Sequence, residues 1–130
     1  MIITWVNAQE KAAGMSRLAD RVGTHHAHDW AEGVATAGER TIADIARVDT
    51  GWMESSVGKR ASAMGGVGVA EAGYGVIKAH PFYTKFQEYG TRHGIMPMHS
   101  ILAGSQAMEI AAQDEGMRTL SRIAAEWNAI

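Results

Sequence analysis

The sequence predicts an α+β fold, and three observations carry that expectation. Apolar residues recur at helical spacing from Ala8 to Val48, a stretch without Pro. Gly65, Gly66, Gly68, Gly73 and Gly75 then crowd together, where a helix would lose about 1 kcal/mol at each relative to Ala. Helical spacing returns from Pro97 to the end of the chain. With no internal repeat and no low-complexity linker, the expectation is one domain over 1–130. It is helical over 8–48, a β-hairpin over 52–79, a short helix over 82–89 and helical again over 97–128.

In the first element, Ala8, Ala12, Met15, Leu18 and Val22 form one stripe. Trp30, Val34, Ala37, Thr41, Ile45 and Val48 form a second, with Ile42 beside it. Spacings of three and four place each set on one helix face. Gly23-Thr24 lies between the stripes, and Thr24 is a residue type that caps helix starts. The reading is two helices, or one long helix bent near Gly23. Asp49-Thr50-Gly51 ends it, since Gly just past a periodic run is a stop signal.

Ser55–Ala63 and Val67–Ala79 are expected to pair across Met64-Gly65-Gly66 as a small antiparallel sheet, with Ala70, Ala72, Tyr74 and Val76 on one face. Large apolar residues are few here, so the tip 63–68 is expected to need a neighbouring molecule to become ordered. Pro81 opens a short aromatic helix in which Tyr83, Phe86 and Tyr89 recur every third residue, and Gly90 closes it. Pro97 fits the first turn of a long C-terminal helix. Ile101, Ser105, Met108 and Ala112 form its first apolar stripe; Met117, Leu120, Ala124 and Trp127 form another, with Gly116 a place for a bend.

Composition narrows function. The chain is 46% apolar, with 12 basic and 14 acidic side chains and a net charge of −2. That balance fits neither a strongly basic nucleic-acid binder nor an acidic disordered tail. There is no Cys, which removes disulfides and thiolate chemistry. No apolar run approaches the roughly 18 residues of a membrane span, and Met1–Val6 lacks the charged start of a signal peptide. A soluble chain that does not engage membranes is expected. Between Val57 and Arg92 five basic residues stand against two acidic ones, whereas the rest of the chain holds seven basic and twelve acidic. A basic hairpin on an acidic body suits DNA or an acidic partner.

Catalytic patterns are weak. Asp49-Thr50-Gly51 spells the active-site tripeptide of aspartic proteases, whose paired carboxylates share a proton across a dimer axis. Here it follows a polar-faced helix and precedes Trp52, which favours a helix stop; a small homodimeric protease using Asp49 is the alternative. In Thr24–Asp29, His25 shares a helix face with His28 or Asp29, as helical metal ligands do. No second cluster supplies the remaining ligands, so a metal-binding module is a further alternative and no metal is expected. Gly66–Glu71 lacks the last Gly of a dinucleotide loop. Ser55 and Ser56 lack a nucleophile elbow. The residues point to no enzyme and no cofactor.

Two separated strings carry a resemblance. Val48-Asp49-Thr50-Gly51-Trp52-Met53-Glu54-Ser55-Ser56-Val57 resembles the "V-D-T-G-x-L-x-x-S-I" segment of the gene-product-ten-like neck and tail-completion proteins of long-tailed bacteriophages. Tyr83-Thr84-Lys85-Phe86-Gln87-Glu88-Tyr89-Gly90-Thr91 is similar to that family's "Y-A-x-F-V-E-F-G-T". The chain departs from the family pattern at Arg47, where Pro is frequent, and at Pro97–Leu102, a loose match to Pro-Phe-Leu. The resemblance implies a virion structural protein of the head–tail connector, made in the host cytoplasm. It would assemble with itself as a ring, hexameric or higher, on the DNA channel axis. Its neighbours would be head-completion or adaptor proteins and tail-terminator or tail-tube proteins, with non-specific contact to packaged DNA. Asp49, Thr50 and Gly51 would turn the chain into the hairpin. Tyr83, Phe86 and Tyr89 would anchor the short helix, and Glu88 would pair with a basic residue or cap a neighbouring turn, ahead of Gly90 and Thr91. Lys59, Arg60 and Lys78 would lie nearest the channel or an acidic partner.

Overall fold

A computed structural model describes residues 8–46, 55–77, 79 and 99–130. The fold is α+β, as the sequence predicts. Helix α1 (Ala8–Arg21) runs through a π-helical turn (Val22–His26) into α2 (Ala27–Ile45). Strands β1 (Val57–Met64) and β2 (Val67–Tyr74) form a two-stranded antiparallel sheet, and α3 (Ser100–Asn128) follows. The 82–89 helix expected from sequence lies outside the described residues, as do Val48 and Asp49–Gly51.

The first helix does not break at Gly23, and Thr24 does not cap a second one. Thr24 Oγ1 instead donates to Asp20 O at 2.9 Å, one turn back in the same helix. The irregularity is a wide turn in which the Ala27 N–H reaches back to Val22 O. Such a turn loosens the carbonyl ladder without ending it. One carbonyl there, Gly23 O, accepts from Gly66 N at 3.2 Å, so the hairpin turn is pinned to the helix.

Helix α2 is the shared floor of the molecule. Ala31, Val34, Ala35, Gly38 and Ile42 are its buried residues, with Ala46 buried just past its end. This face is rotated by about one residue from the expected stripe: Val34 and Ile42 belong to it, whereas Ile45 is exposed. The rotation follows from what α2 carries. Both the hairpin and α3 lie on it, so its centre is built from small residues that let two neighbours approach. The α2–α3 pair is antiparallel, with Gly104 against Ile42 and Gly38 against Met108. A Cβ at Gly104 would stand 2.6 Å from Ile42 Cγ1.

The hairpin turn is Gly65-Gly66, with φ of 60° and 85°. Two positive φ values are what a two-residue type I′ turn demands. Val57, Lys59, Ala61 and Ala63 of β1 pair with Tyr74, Ala72, Ala70 and Gly68 of β2 and face α2. Ala70, Ala72 and Tyr74 share a face as expected. Arg60, Ser62, Met64, Val67, Val69 and Glu71 face outward and are exposed. At the tip Met64, Gly65, Gly66 and Val67 are exposed, and Ala63 and Gly68 are half-buried. Small residues on the inner face bring the strands onto α2, and Gly68 sits over the Trp30 ring. Tyr74 Oη and Ser100 Oγ, 2.7 Å apart, tie the hairpin base to the start of α3.

Helix α3 is continuous through Gly116 and begins at Ser100, three residues past Pro97. Met108 and Ala112 of the first expected stripe are half-buried, and Trp30 Nε1 donates to Ala112 O at 3.0 Å. The second stripe is corrected by the structure: Met117, Leu120, Ala124 and Trp127 point outward. In this half the inner face is made by Glu115, Gly116, Thr119, Ile123 and Glu126.

Close approach at Gly68 yields a test. A Cβ there would lie 2.7 Å from Ala27 O, a backbone atom that cannot swing aside. Gly68→Val is expected to destabilise by about 1–3 kcal/mol. Ser62→Val, on the exposed face, is expected to change stability by no more than about 0.5 kcal/mol. Urea unfolding of both variants checks the difference; equal midpoints would contradict the packing described.

Candidate assembly surface

The hairpin presents two different faces because strand side chains alternate. On the inner one, Lys59 Nζ lies 2.6 Å from Glu32 Oε1 and 2.7 Å from Thr36 Oγ1. Its charge is committed to α2. Arg60, one residue on, projects outward, where its Nε is 3.7 Å from Glu71 Oε2 and its Nη2 donates to Val76 O at 2.9 Å. Lys78 lies outside the described residues. So do Asp49, Thr50, Gly51, Tyr83, Phe86, Glu88, Tyr89, Gly90 and Thr91. Of the sequence-predicted site residues, the structure therefore describes Lys59 and Arg60, adjacent in sequence and pointing apart.

Beside Arg60 the outer face is apolar. Met64 and Val67, directly opposite each other next to the turn, are 84% and 62% exposed, and Val69 is 46% exposed. Among the described residues the sheet has two strands, so each has one edge without a strand partner. Unpaired strand edges beside exposed apolar side chains are a template for another chain. The sequence signal for this surface was present in the alternation of β1 and β2, but which set faced out depended on where α2 lies.

The histidines divide among separate tasks. His25 Nε2 is 3.3 Å from Asp29 Oδ2 on one helix face, as the spacing predicts, and Arg122 Nη1 is 3.5 Å from the same oxygen. His28 is exposed. His26 is turned inward and buried, with Nε2 3.1 Å from Glu126 Oε2. Arg21 grips the same carboxylate through two nitrogens, at 2.8 and 3.2 Å. Among the described residues no three His, Asp or Glu side chains converge on a point where a metal could sit. His26 Nδ1 and Thr119 Oγ1 are buried without a partner among the described atoms. Both residues border a cleft of about 420 Å³ beneath the hairpin turn, wide enough for water to reach them. Sequence reading missed the His26–Glu126–Arg21 cluster because its members are about a hundred residues apart.

No described helix is long and apolar enough to cross a membrane. No family model matches the chain, and no curated protein or solved structure matches it.

The Glu126 cluster sets a pH dependence. Hydrogen bonds from Arg21, then from His26, hold the Glu126 carboxyl at about 2, below its ordinary 4.5. A carboxylate whose pKa is lower folded than unfolded stabilises the fold above its unfolded pKa. That contribution is present above pH 4.5 and lost as pH falls towards about 2. Glu126→Gln is expected to flatten this part of the acid limb, read as melting temperature against pH. An unchanged acid limb would show that the cluster does not couple to folding.

Proposed function

We propose that this chain is a structural protein of the bacteriophage neck, a ring-forming head–tail joining or tail-completion component on the DNA channel axis. The resemblance of the Val48–Val57 and Tyr83–Thr91 strings to the gene-product-ten-like proteins supports the reading. The observation that carries it is the outer face of the hairpin: Met64, Val67 and Val69 are exposed on a sheet that has two strands among the described residues.

In the proposed ring each subunit offers this face to a different patch of the next, a head-to-tail contact that closes by rotation. Backbone pairing at a strand edge would supply affinity, and the Met64–Val67 pair would fix the register. Burial of exposed apolar surface at about 25 cal/mol per Å² would stabilise each contact. Arg60 is the described basic residue that remains on the outward side. Glu71 stands beside it at 3.7 Å, so the described outer face of the hairpin carries no net charge, and contact with DNA or an acidic neighbour rests on the resemblance. The roles of Asp49–Gly51, Tyr83, Phe86, Glu88, Tyr89 and Lys78 in this assembly rest on the resemblance. Catalysis and bound cofactors play no part in it.

An amber mutation in the gene is expected to leave filled heads and finished tails unjoined, counted by negative-stain electron microscopy. Wild-type protein added to the lysate is expected to restore joined particles, and Met64→Lys with Val67→Lys to restore far fewer. Infectious, joined particles in the absence of the protein would overturn the proposal.

A further inference from the structure

The outer face of α3 carries a second apolar surface, and its pattern is regular. Ile110, Met117, Leu120, Ala124 and Trp127, with Gln106 and Gln113, are spaced four, three, four, three, four and three residues apart. Every one is exposed: Ile110 is 65%, Met117 67%, Leu120 61% and Trp127 53% accessible. Alternating steps of four and three over three heptads are the seam of a two-helix coiled coil. The opposite face of α3 is already occupied by α2, so this seam is additional to the fold.

We infer that the seam is a self-association surface, which pairs α3 with the α3 of a second copy of this chain in antiparallel orientation. Two arguments select that occupant. The first is area. The apolar part of the seam leaves on the order of 500 Å² in water, at the upper end for a monomer surface. Two copies would remove about twice that, and flanking polar atoms bring the total to the roughly 1,200 Å² of the smallest stable interfaces.

The second argument is charge. Asp114 and Arg118 border the same side of the seam one turn apart, and both are exposed. Antiparallel pairing about a point near Glu115 brings Arg118, which also holds Glu115 of its own helix at 2.8 Å, within reach of Asp114 of the other copy, where it offsets the two Asp114 carboxylates that flank the axis. It also sets Ile110 near Leu120 of the partner helix. Parallel pairing in register would bring Glu109 beside Asp114 of the second copy, twice over, since flanking positions five residues apart meet across parallel strands. Like charges facing there disfavour it.

This pairing goes beyond the neck reading. Antiparallel pairing is isologous and closes at two copies, whereas a ring needs a head-to-tail contact. Its test therefore does not depend on phage material. Sedimentation of the purified full chain is expected to show a concentration-dependent dimer. Leu120→Lys is expected to shift it to monomer with unchanged helix content. Asp114→Arg alone is expected to weaken dimerisation about tenfold, and Asp114→Arg with Arg118→Asp to restore it.

The absence of native Cys allows single nitroxide labels at Gln113→Cys or Asn128→Cys. Antiparallel pairing predicts a short distance between the two labels at 113 and one beyond about 35 Å at 128, from a 1.5 Å rise per residue. A chain that stays monomeric well above micromolar concentration would overturn the inference. So would a dimer indifferent to Leu120→Lys, or short distances at both label sites.

Discussion

Two neighbours must approach one helix closely, and the rest of the architecture depends on that constraint. The hairpin and α3 both rest on α2, and both do so where side chains are nearly absent. Gly38 faces Gly104 across the helix pair, and Gly68 lies over Ala27 and Trp30. Close backbones bring dispersion contacts that longer side chains would hold apart. Trp30 then spans what remains, its ring under β2 and its N–H bonded to α3. Small residues set the distances and one large residue locks them.

That economy explains why so much apolar surface is left over. The core uses Ala and Gly where other domains use Leu and Phe, so the large apolar side chains are free to serve elsewhere. They collect on two faces, the outside of the hairpin and the outside of α3. Each is backed by an element whose inner side is occupied. A head-to-tail contact and a two-fold contact have different symmetries, and a subunit that used both faces as proposed would have a defined valence rather than a general tendency to aggregate.

The kinds of element were legible in the sequence because periodicity reports them directly. Gly65-Gly66 between alternating residues announced the hairpin, and stripes at three and four announced the helices. Direction was not legible. Met117, Leu120, Ala124 and Trp127 have the same spacing whether they face a core or water. Nothing local marks Gly104 and Thr119 as the buried side of α3. The inner face of α2 escaped for the same reason, since Ala31, Ala35 and Gly38 contribute little hydrophobicity. The cluster of Arg21, His26 and Glu126 required knowing that α1 and α3 meet, which no window of sequence contains. Of the residues singled out by charge, Lys59 shows the limit most plainly: its place in a basic segment gave no sign that Glu32 and Thr36 would claim it.

The π turn has one more consequence, and it concerns phase. A wide turn holds one residue more than an α-helix needs, which sets the two sides of the helix about 100° out of step. In an unbroken α-helix His26 would sit about 80° around the axis from Leu18; with the slip the two come within about 20° of each other. Leu18 and His26 are both buried, as that alignment requires. The turn acts as a gear between α1 and α2, and the extra residue is the tooth. A chain one residue shorter in Val22–His26 would close as ordinary α-helix and keep α1 on the same neighbours, whereas the present length without the wide turn would rotate all of α1 by about 100°.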